Sequence, residues 1–451
     1  MSSEWLTVTV EDIAAQHQSA LSTGPFGSSI SAKFFTESGT PVIRGSNLSP
    51  DPSVRLKDEG LVFISNDKAT EFRRSVARRG DLVFTCWGTI NQVGFIDDGS
   101  KFESYIVSNK QMKLTLDPLK ADSLFVYYVF SGPEKQAEIL GNGIGSSVPG
   151  FNLGQLKRHE ILLPPLAEQV NIANILGALD DRIALLRETN ATLEAIAQAL
   201  FKSWFVDFDP VHAKMEGSAP KGMDEATSAL FPDGFEESEL GLVPSGWRVM
   251  PIGDAVEAVG GATPDTKKPA YWEPAVHCWT TPKDLSGIAA PVLLNTERKL
   301  SDQGLAKIGS GALPIGTLLL SSRAPIGYLA LAQVPLAINQ GYIAMLPGGL
   351  LPPLHLLFWC HQNMENIKGR ANGSTFMEIS KKAFRPIPAL VPAPEIIQTF
   401  ADVAGRLFDK LIENEKQAQT LATLRDTLLP RLISGQLRLP EAEALLGEAC
   451  A

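Results

Sequence analysis

Residues 163–205 read LPPLAEQVNIANILGALDDRIALLRETNATLEAIAQALFKSWF, and after the opening pair no proline follows until Pro210. Apolar side chains recur in steps of four and three: Ile172, Leu176, Leu179, Ile183, Leu186, then Asn190, then Leu193, Ala197, Leu200 and Trp204. That spacing lays one seam along a single long helix. Pro165 suits its first turn, where a missing N–H costs nothing. At 1.5 Å per residue such a helix is a rod of roughly 60 Å. Its stripe must be covered by something.

The chain supplies a cover. Adding 228 to each number lands on VPAPEIIQTFADVAGRLFDKLIENEKQAQTLATLRDTLLPRLI. Ile172 maps to Phe400, Leu176 to Ala404, Leu179 to Leu407, Ile183 to Leu411, Leu193 to Leu421 and Leu200 to Leu428. Leu186 maps to Asn414, and Asn190 to Ala418. Each helix thus carries one asparagine near the middle of its seam. Two readings are open: tolerated polar interruptions, or a pair that fixes register as buried Asn does in coiled coils.

The helices belong to a larger duplication. Trp5 to Ile13 resembles Trp247 to Ala255, and PVIRGSNLS (41–49) resembles HCWTTPKDLS (277–286). GDLVFTCWGTINQVGFI (80–96) resembles GTLLLSSRAPIGYLAL (316–331), and VSNKQMKLTL (107–116) resembles AINQGYIAML (337–346). A period near half the chain means two copies of one domain rather than a solenoid. Each copy reads as short β runs (81–85, 94–96, 111–116 in the first), then a helix (121–140 and 354–368), a Gly/Ser loop, and the proline-opened long helix. The expected architecture is α/β (α+β): two pseudo-repeated recognition modules joined by two long, antiparallel, coiled-coil-like helices. The boundaries are 1–163, 164–206, 207–245, 246–391, 392–435 and 436–451. Residues 207–245 read as an acidic linker and those after 439 as a frayed tail. Antiparallel helices would set the modules at opposite ends of a rod. That shape suits a reader of two separated DNA half-sites, since half-site spacing is geometric. It equally suits a coiled-coil scaffold for two protein partners.

Charge bears on that choice. The net charge is −10, but residues 206–245 and the tail from 436 carry nine of those ten charges. The rest is near neutral and short of the strongly basic footprint of a stand-alone DNA binder. A DNA-binding reading therefore asks a partner for part of the phosphate contact. Four cysteines stand far apart, and His355 and His361 are six residues apart, so no metal site is expected. No apolar run reaches the ~18 residues of a membrane span, and the N-terminus lacks a signal-peptide layout. A cytoplasmic location is expected.

With the repeats laid out, the chain resembles the specificity subunit of type I restriction–modification systems, over nearly its whole length. The most specific stretches are LPPLAEQVNIANILGALDDRI (163–183) and LRDTLLPRLISGQL (424–437), similar to that family's conserved helices. LGLVPSGW (240–247), GGATPDTKKPAYWE (260–273), SSRAPIGYLAL (321–331) and AINQGY (337–342) resemble its second recognition domain. GPFGSSI (24–30) and YIVSNKQM (105–112) resemble its first. The resemblance implies a non-catalytic DNA reader. Each recognition domain binds half of a bipartite asymmetric site on double-stranded DNA, and the helices act as a ruler across the spacer. They also dock two methyltransferase (modification) subunits, which bring in the restriction subunits. S-adenosylmethionine and ATP belong to those partners, and no cofactor is expected on this chain.

Catalytic signatures are missing from the sequence. An Asn or Asp followed by Pro-Pro and an aromatic, a Walker loop, a nuclease PD…(D/E)xK layout and GxSxG do not occur. GNGIG (141–145) reads as a loop. Base readout needs Arg, Lys, Asn, Gln, Ser and Thr on loops. The candidates in the first module are Arg44, Ser46 and Asn47; Thr89, Asn91 and Gln92; and Asn109, Lys110 and Gln111. In the second they are Thr281, Lys283 and Asp284; Ser322 and Arg323; and Asn339 and Gln340. Ser146, Ser147, Ser374 and Thr375 are candidate phosphate contacts. Arg73, Arg74, Arg78 and Arg79 form either a phosphate-tracking strip or a charged helix face. Trp87 and Trp279 lie near the loops, as wedges or as core. Asp180, Asp181 and Asp409 read as solvated helix positions.

Overall fold

The computed structural model describes residues 5–143, 150–373 and 377–450. Two compact units result: residues 1–185 with 417–451, and residues 186–416.

The first unit is built on two sheets. One runs Leu21–Thr23, Gln111–Leu114, Leu82–Thr85, Val93–Phe95, all antiparallel. The other runs Phe35–Thr36, Val62–Ile64, Thr40–Ile43, Ser104–Val107, Val76–Arg78; its Thr40–Ile43 and Ser104–Val107 are parallel. Leu82–Thr85 is buried on both faces, which is why it reads as a continuous apolar run. Gln111–Leu114 is also buried throughout although it alternates polar and apolar, with Lys113 paired to the buried Asp81 at 3.3 Å. Leu6–Thr9 pairs with Glu160–Leu163 and closes the module just before the long helix. The expected helix over 121–140 is two, Ser123–Ser131 and Pro133–Gly141. Gly132 precedes Pro133, and the residue before a proline is pushed out of the α region.

The second unit repeats the plan. Its larger sheet runs Ala258–Val259, Tyr342–Met345, Leu318–Ser321, Leu329–Ala332, Val292–Leu293. Its smaller one holds His277–Thr280 parallel to Leu336–Ile338. Arg248–Pro251 pairs with Pro388–Val391 as the closing ribbon. The helix expected over 354–368 breaks at Asn363, giving Pro353–Gln362 and Met364–Gly369.

Two expectations are corrected. The acidic 207–245 stretch is not an unpatterned linker. It forms helices Asp209–Met215 and Glu225–Leu230 and a hairpin, Phe235–Ser238 with Gly241–Pro244. Val211 and Phe231 enter the core of the second unit. Its few large apolar residues anchor it, and the acids between them stay in water. Likewise the tail is a helix, Leu439–Cys450, whose entry buries Leu437 and Ala442.

The long helices run Leu166–Phe205 and Pro394–Ile433, and they pack antiparallel. In the first unit Ile172, Leu176, Leu179 and Ile183 are buried, as are Leu421, Leu428 and Leu432. Asp180 accepts from Arg425 at 2.8 Å and from the Tyr128 hydroxyl at 2.6 Å, and all three are buried. Arg425 also reaches Asp51 (3.2 Å) and Asp426 (2.8 Å). Asp181 faces outward and pairs with Arg55 at 2.8 Å. Asp180 is therefore no solvated position: its seat beneath Tyr128 forces burial, and burial raises its pKa against the pull of Arg425 and Tyr128.

In the second unit the asparagines meet. Asn414 donates to the Asn190 side-chain oxygen at 3.0 Å, and Asn190 donates to the Leu411 carbonyl at 3.2 Å. Both are buried and bonded, so they are a built polar layer rather than tolerated interruptions. Past them the stripe drifts. Leu193, Leu200 and Leu407 are only half-buried, while Ala197, Phe201, Phe205 and Phe408 fill the core with Trp204, Phe400 and Ala404. A 3.6-residue helix outruns a strict seven-residue repeat, and the large aromatics take the inward places. His355 sits among Phe201, Phe205 and Phe400, with ring centroids 4.7–6.0 Å away, and burial pushes its pKa down to about 3.

Candidate nucleic-acid interface

Strand direction gathers the loops of each module. In the first unit the parallel strands Thr40–Ile43 and Ser104–Val107 leave the sheet at the same end, into 44–47 and 108–110. Thr85 pairs with Gln111, so the 86–92 loop starts beside the 108–110 turn. The Cys86 amide donates to the Lys110 carbonyl at 2.7 Å, and the Ser108 amide to Ile43 at 3.0 Å. The 24–30 segment joins them: a Cβ on Gly24 would lie 1.9 Å from the Ser108 carbonyl, so only glycine allows the approach. Asn109 donates to the Gly27 carbonyl at 3.1 Å.

Of the first-module candidates, Ser46, Thr89, Asn109 and Lys110 are exposed, and Arg44, Asn91 and Gln92 are half-buried on these loops. Arg44 is partly committed, donating to Gly60 at 3.2 Å. Asn47 and Gln111 are corrected. Asn47 is fully buried; it accepts from the Arg44 amide and donates to Lys57 and Glu59, which shapes the loop. Gln111 is buried and bonded to the Ser108 hydroxyl. Neither turns a group outward. Ser146 and Ser147 lie outside the described residues.

The arginine cluster is split by geometry, and it is not a helix face. Arg73 and Arg74 occupy a turn, Arg73–Ser75, tied to the loop end by Ser75 to Thr23 (3.0 Å) and by Ser22 to Arg74 (2.6 Å). The strand Val76–Arg78 then runs away, so Arg78 and Arg79 stand at the opposite end. Arg79 is held there by Asp98 and Glu103 at 3.7 and 3.3 Å. Trp87 is half-exposed against Gly150, whereas Trp279 is core, beside Trp272 and Arg298.

The second unit presents the same cluster. The Asn339 amide donates to Thr280 at 3.0 Å and the Ser322 amide to Gly341 at 2.8 Å, matching the Ser108–Ile43 and Cys86–Lys110 bonds. These bonds equate Asn339 with Ser108 and Gln340 with Asn109, one position off the sequence pairing. Gln340 is exposed and accepts from Thr263 at 2.6 Å. Asn339 accepts from the Gly341 amide at 2.8 Å and so sets its own turn. Thr281 is a cap bonded to Asp284, which is half-buried in turn. Lys283 is exposed beside Glu297 (3.0 Å), and Arg323 is half-exposed beside Glu378 (3.6 Å). Ser322 is corrected: it is buried immediately after the core strand Leu318–Ser321, its amide and carbonyl both bonded. Ser374 and Thr375 lie outside the described residues.

One group escaped the sequence reading. The 260–268 segment reaches the 339–341 turn because a Cβ on Gly261 would lie 1.8 Å from the Ile338 carbonyl. It carries exposed Thr263, Lys267 and Lys268. The signal was present: GGATPDTKK stands where GPFGSSI stands in the first copy. Among the described residues no cluster of His, Cys, Asp and Glu is placed to hold a metal ion, and no helix is long and apolar enough to cross a membrane.

Such a molecule is a doubled α/β recognition protein, with two equivalent clusters of polar loops carried on modules that share a pair of antiparallel helices. The model of the type I restriction modification DNA specificity domain matches residues 4–195 and again 244–422, and the chain belongs to that family. The HindI specificity subunit of Haemophilus influenzae is 25% identical over 408 residues, 81% of this chain and 88% of that protein. The MjaIX specificity subunit of Methanocaldococcus jannaschii is 37% identical over 185 residues, 41% of this chain and 42% of that protein. The crystal structure of the type I restriction–modification S subunit from M. genitalium shares the fold at a TM-score of 0.54 and 18% identity, over 96% of each chain.

Proposed function

We propose that this chain reads a bipartite, asymmetric double-stranded DNA site for a type I restriction–modification complex. Each module's loop cluster takes one half of the site, and the paired helices fix the unread spacer. The carrying observation is the recurrence of one loop cluster, bond for bond, in two copies of one domain within a specificity family. Exposed Lys110, Arg73 and Arg74 in the first module, and Lys267, Lys268 and Lys283 in the second, meet phosphate. Ser46, Thr89, Asn91, Gln92, Asn109 and Gln340 face base edges.

The chain recognises and does not catalyse. Two modification subunits dock on it, bring S-adenosylmethionine, and recruit restriction subunits that use ATP. Net charge supports this division of labour, because a chain at −10 gains from a partner's cations around the duplex. The test is titration of a labelled duplex carrying the site with the chain alone and with its modification subunit. Binding should be salt-dependent and stronger with the partner. Equal, salt-independent binding, or none in either case, rejects the reading and favours the scaffold.

A further inference from the structure

The two long helices are repeats of each other, so each has a competing partner: the same helix of a second copy. Self-pairing that kept the repeat equivalence would bury the same apolar seam. The polar residues do not permit the exchange. In the first unit Tyr128, Asp180 and Arg425 stand together. Their counterparts in the second unit are Phe358, Phe408 and Ala197. Phe358 and Phe408 pack edge to face at 5.8 Å, so the equivalence holds in contacts as well as in sequence. Asn190 and Asn414 likewise have Ala418 and Leu186 as counterparts, both buried and apolar.

We infer that the buried Asp180–Arg425 and Asn190–Asn414 pairs are an address, directing each long helix to the other repeat and away from a second copy of itself. Self-pairing of the first helix would set each Asp180 against Ala197 of the other copy. It would keep Tyr128 but lose its cation. Each Asn190 would face Ile183 and Leu186 in place of Leu411 and Asn414. Self-pairing of the second helix would set each Arg425 against Phe408, keeping Asp426 but losing Asp180 and Asp51. Each Asn414 would meet Ala418. By two-fold symmetry every loss occurs twice. Buried groups without partners penalise a wrong pairing more than matched ones favour the right one. The inference stands on the helix seam alone and does not depend on DNA reading.

The experiment uses the full chain with Tyr128→Phe, Asp180→Leu, Arg425→Leu, Asn190→Leu and Asn414→Leu. Both polar pairs become apolar, and Tyr128→Phe removes the hydroxyl that would lose its acceptor. Replacing both members of a buried pair by apolar residues is often neutral for stability. Light scattering across a concentration series should hold the wild type at its 48.6 kDa monomer mass. The variant should melt cooperatively near the wild-type temperature, while its mass climbs toward twice that value with concentration. The milder variant Asn190→Leu, Asn414→Leu should stay folded and show a smaller rise. Monomeric behaviour of both variants at every concentration overturns the proposal. Failure of the fivefold variant to fold, with the double variant strictly monomeric, overturns it too, because the pairs would then hold the fold instead of choosing the partner.

Discussion

Arg425→Ala isolates the most exposed weakness of the helix pair. The guanidinium is buried, 2.8 Å from an Asp180 that is 1% accessible, with the Tyr128 hydroxyl as that carboxylate's other partner. Truncation leaves a buried carboxylate with one neutral donor. Breaking a buried pair from one side costs about 3–5 kcal/mol. For a unit of this size that is a fall of about 10 °C in melting temperature. The deficit should depend on pH. Burial already raises the Asp180 pKa, with Arg425 the largest opposing influence, so removing Arg425 raises it further. A carboxyl with a raised folded-state pKa binds its proton more tightly when folded. Its penalty is therefore small near the unfolded value and grows as pH rises through the folded one. Urea unfolding followed by circular dichroism at pH 5 and pH 8 measures this. We expect a larger loss at pH 8 and partial recovery at pH 5. A loss below about 1 kcal/mol, or one equal at both pH values, would refute the reasoning.

Asn190→Leu alone strands Asn414 in the seam and should cost about 1–3 kcal/mol, while adding Asn414→Leu should recover most of it in the same denaturation assay. His355, held neutral by burial, should make stability fall by about 1.4 kcal/mol per pH unit as acidity increases from pH 6.5 toward 3, because only the unfolded chain takes up that proton. His355→Phe, the residue type the first repeat carries at Phe125, should flatten that slope in acid titrations monitored by fluorescence. Lys110→Ala or Lys267→Ala should weaken DNA binding by the assembled complex uniformly across sequences and lower the salt slope by about one unit, read by fluorescence anisotropy. Gln92→Ala or Asn91→Ala should relax specificity at one position of one half-site, with little change in the salt slope.

The helices and the duplication were legible because both are periodic over long spans: Ile172 to Ile183 and Leu421 to Leu428 are buried as their spacing demands. The seam failed where packing overrode period, at Leu200 and Leu407, since aromatic volume at Phe201 and Phe408 outweighs register. Asp180 reads as solvated from sequence because a carboxylate's burial depends on Tyr128 and Arg425, more than 50 and 200 residues away. The acidic segment reads as a linker for the opposite reason: its few anchors, Val211 and Phe231, are sparse in sequence but converge in space. On the loops, the sequence points to segments that the fold gathers at one end of each module, but not to which side chains they spend on themselves. Asn47 and Ser46 are neighbours, yet the first bonds inward and the second faces water.

On the proposed function, the two modules each specify half of one DNA site. Co-expressing the chain with its modification subunit and mapping methylated adenines by long-read sequencing tests it most directly. Two short specified blocks should appear around a spacer of fixed length and free sequence, with loop changes at 89–92 altering one block and changes at 263–268 altering the other. A single contiguous motif, or one block that responds to changes in both modules, would contradict it.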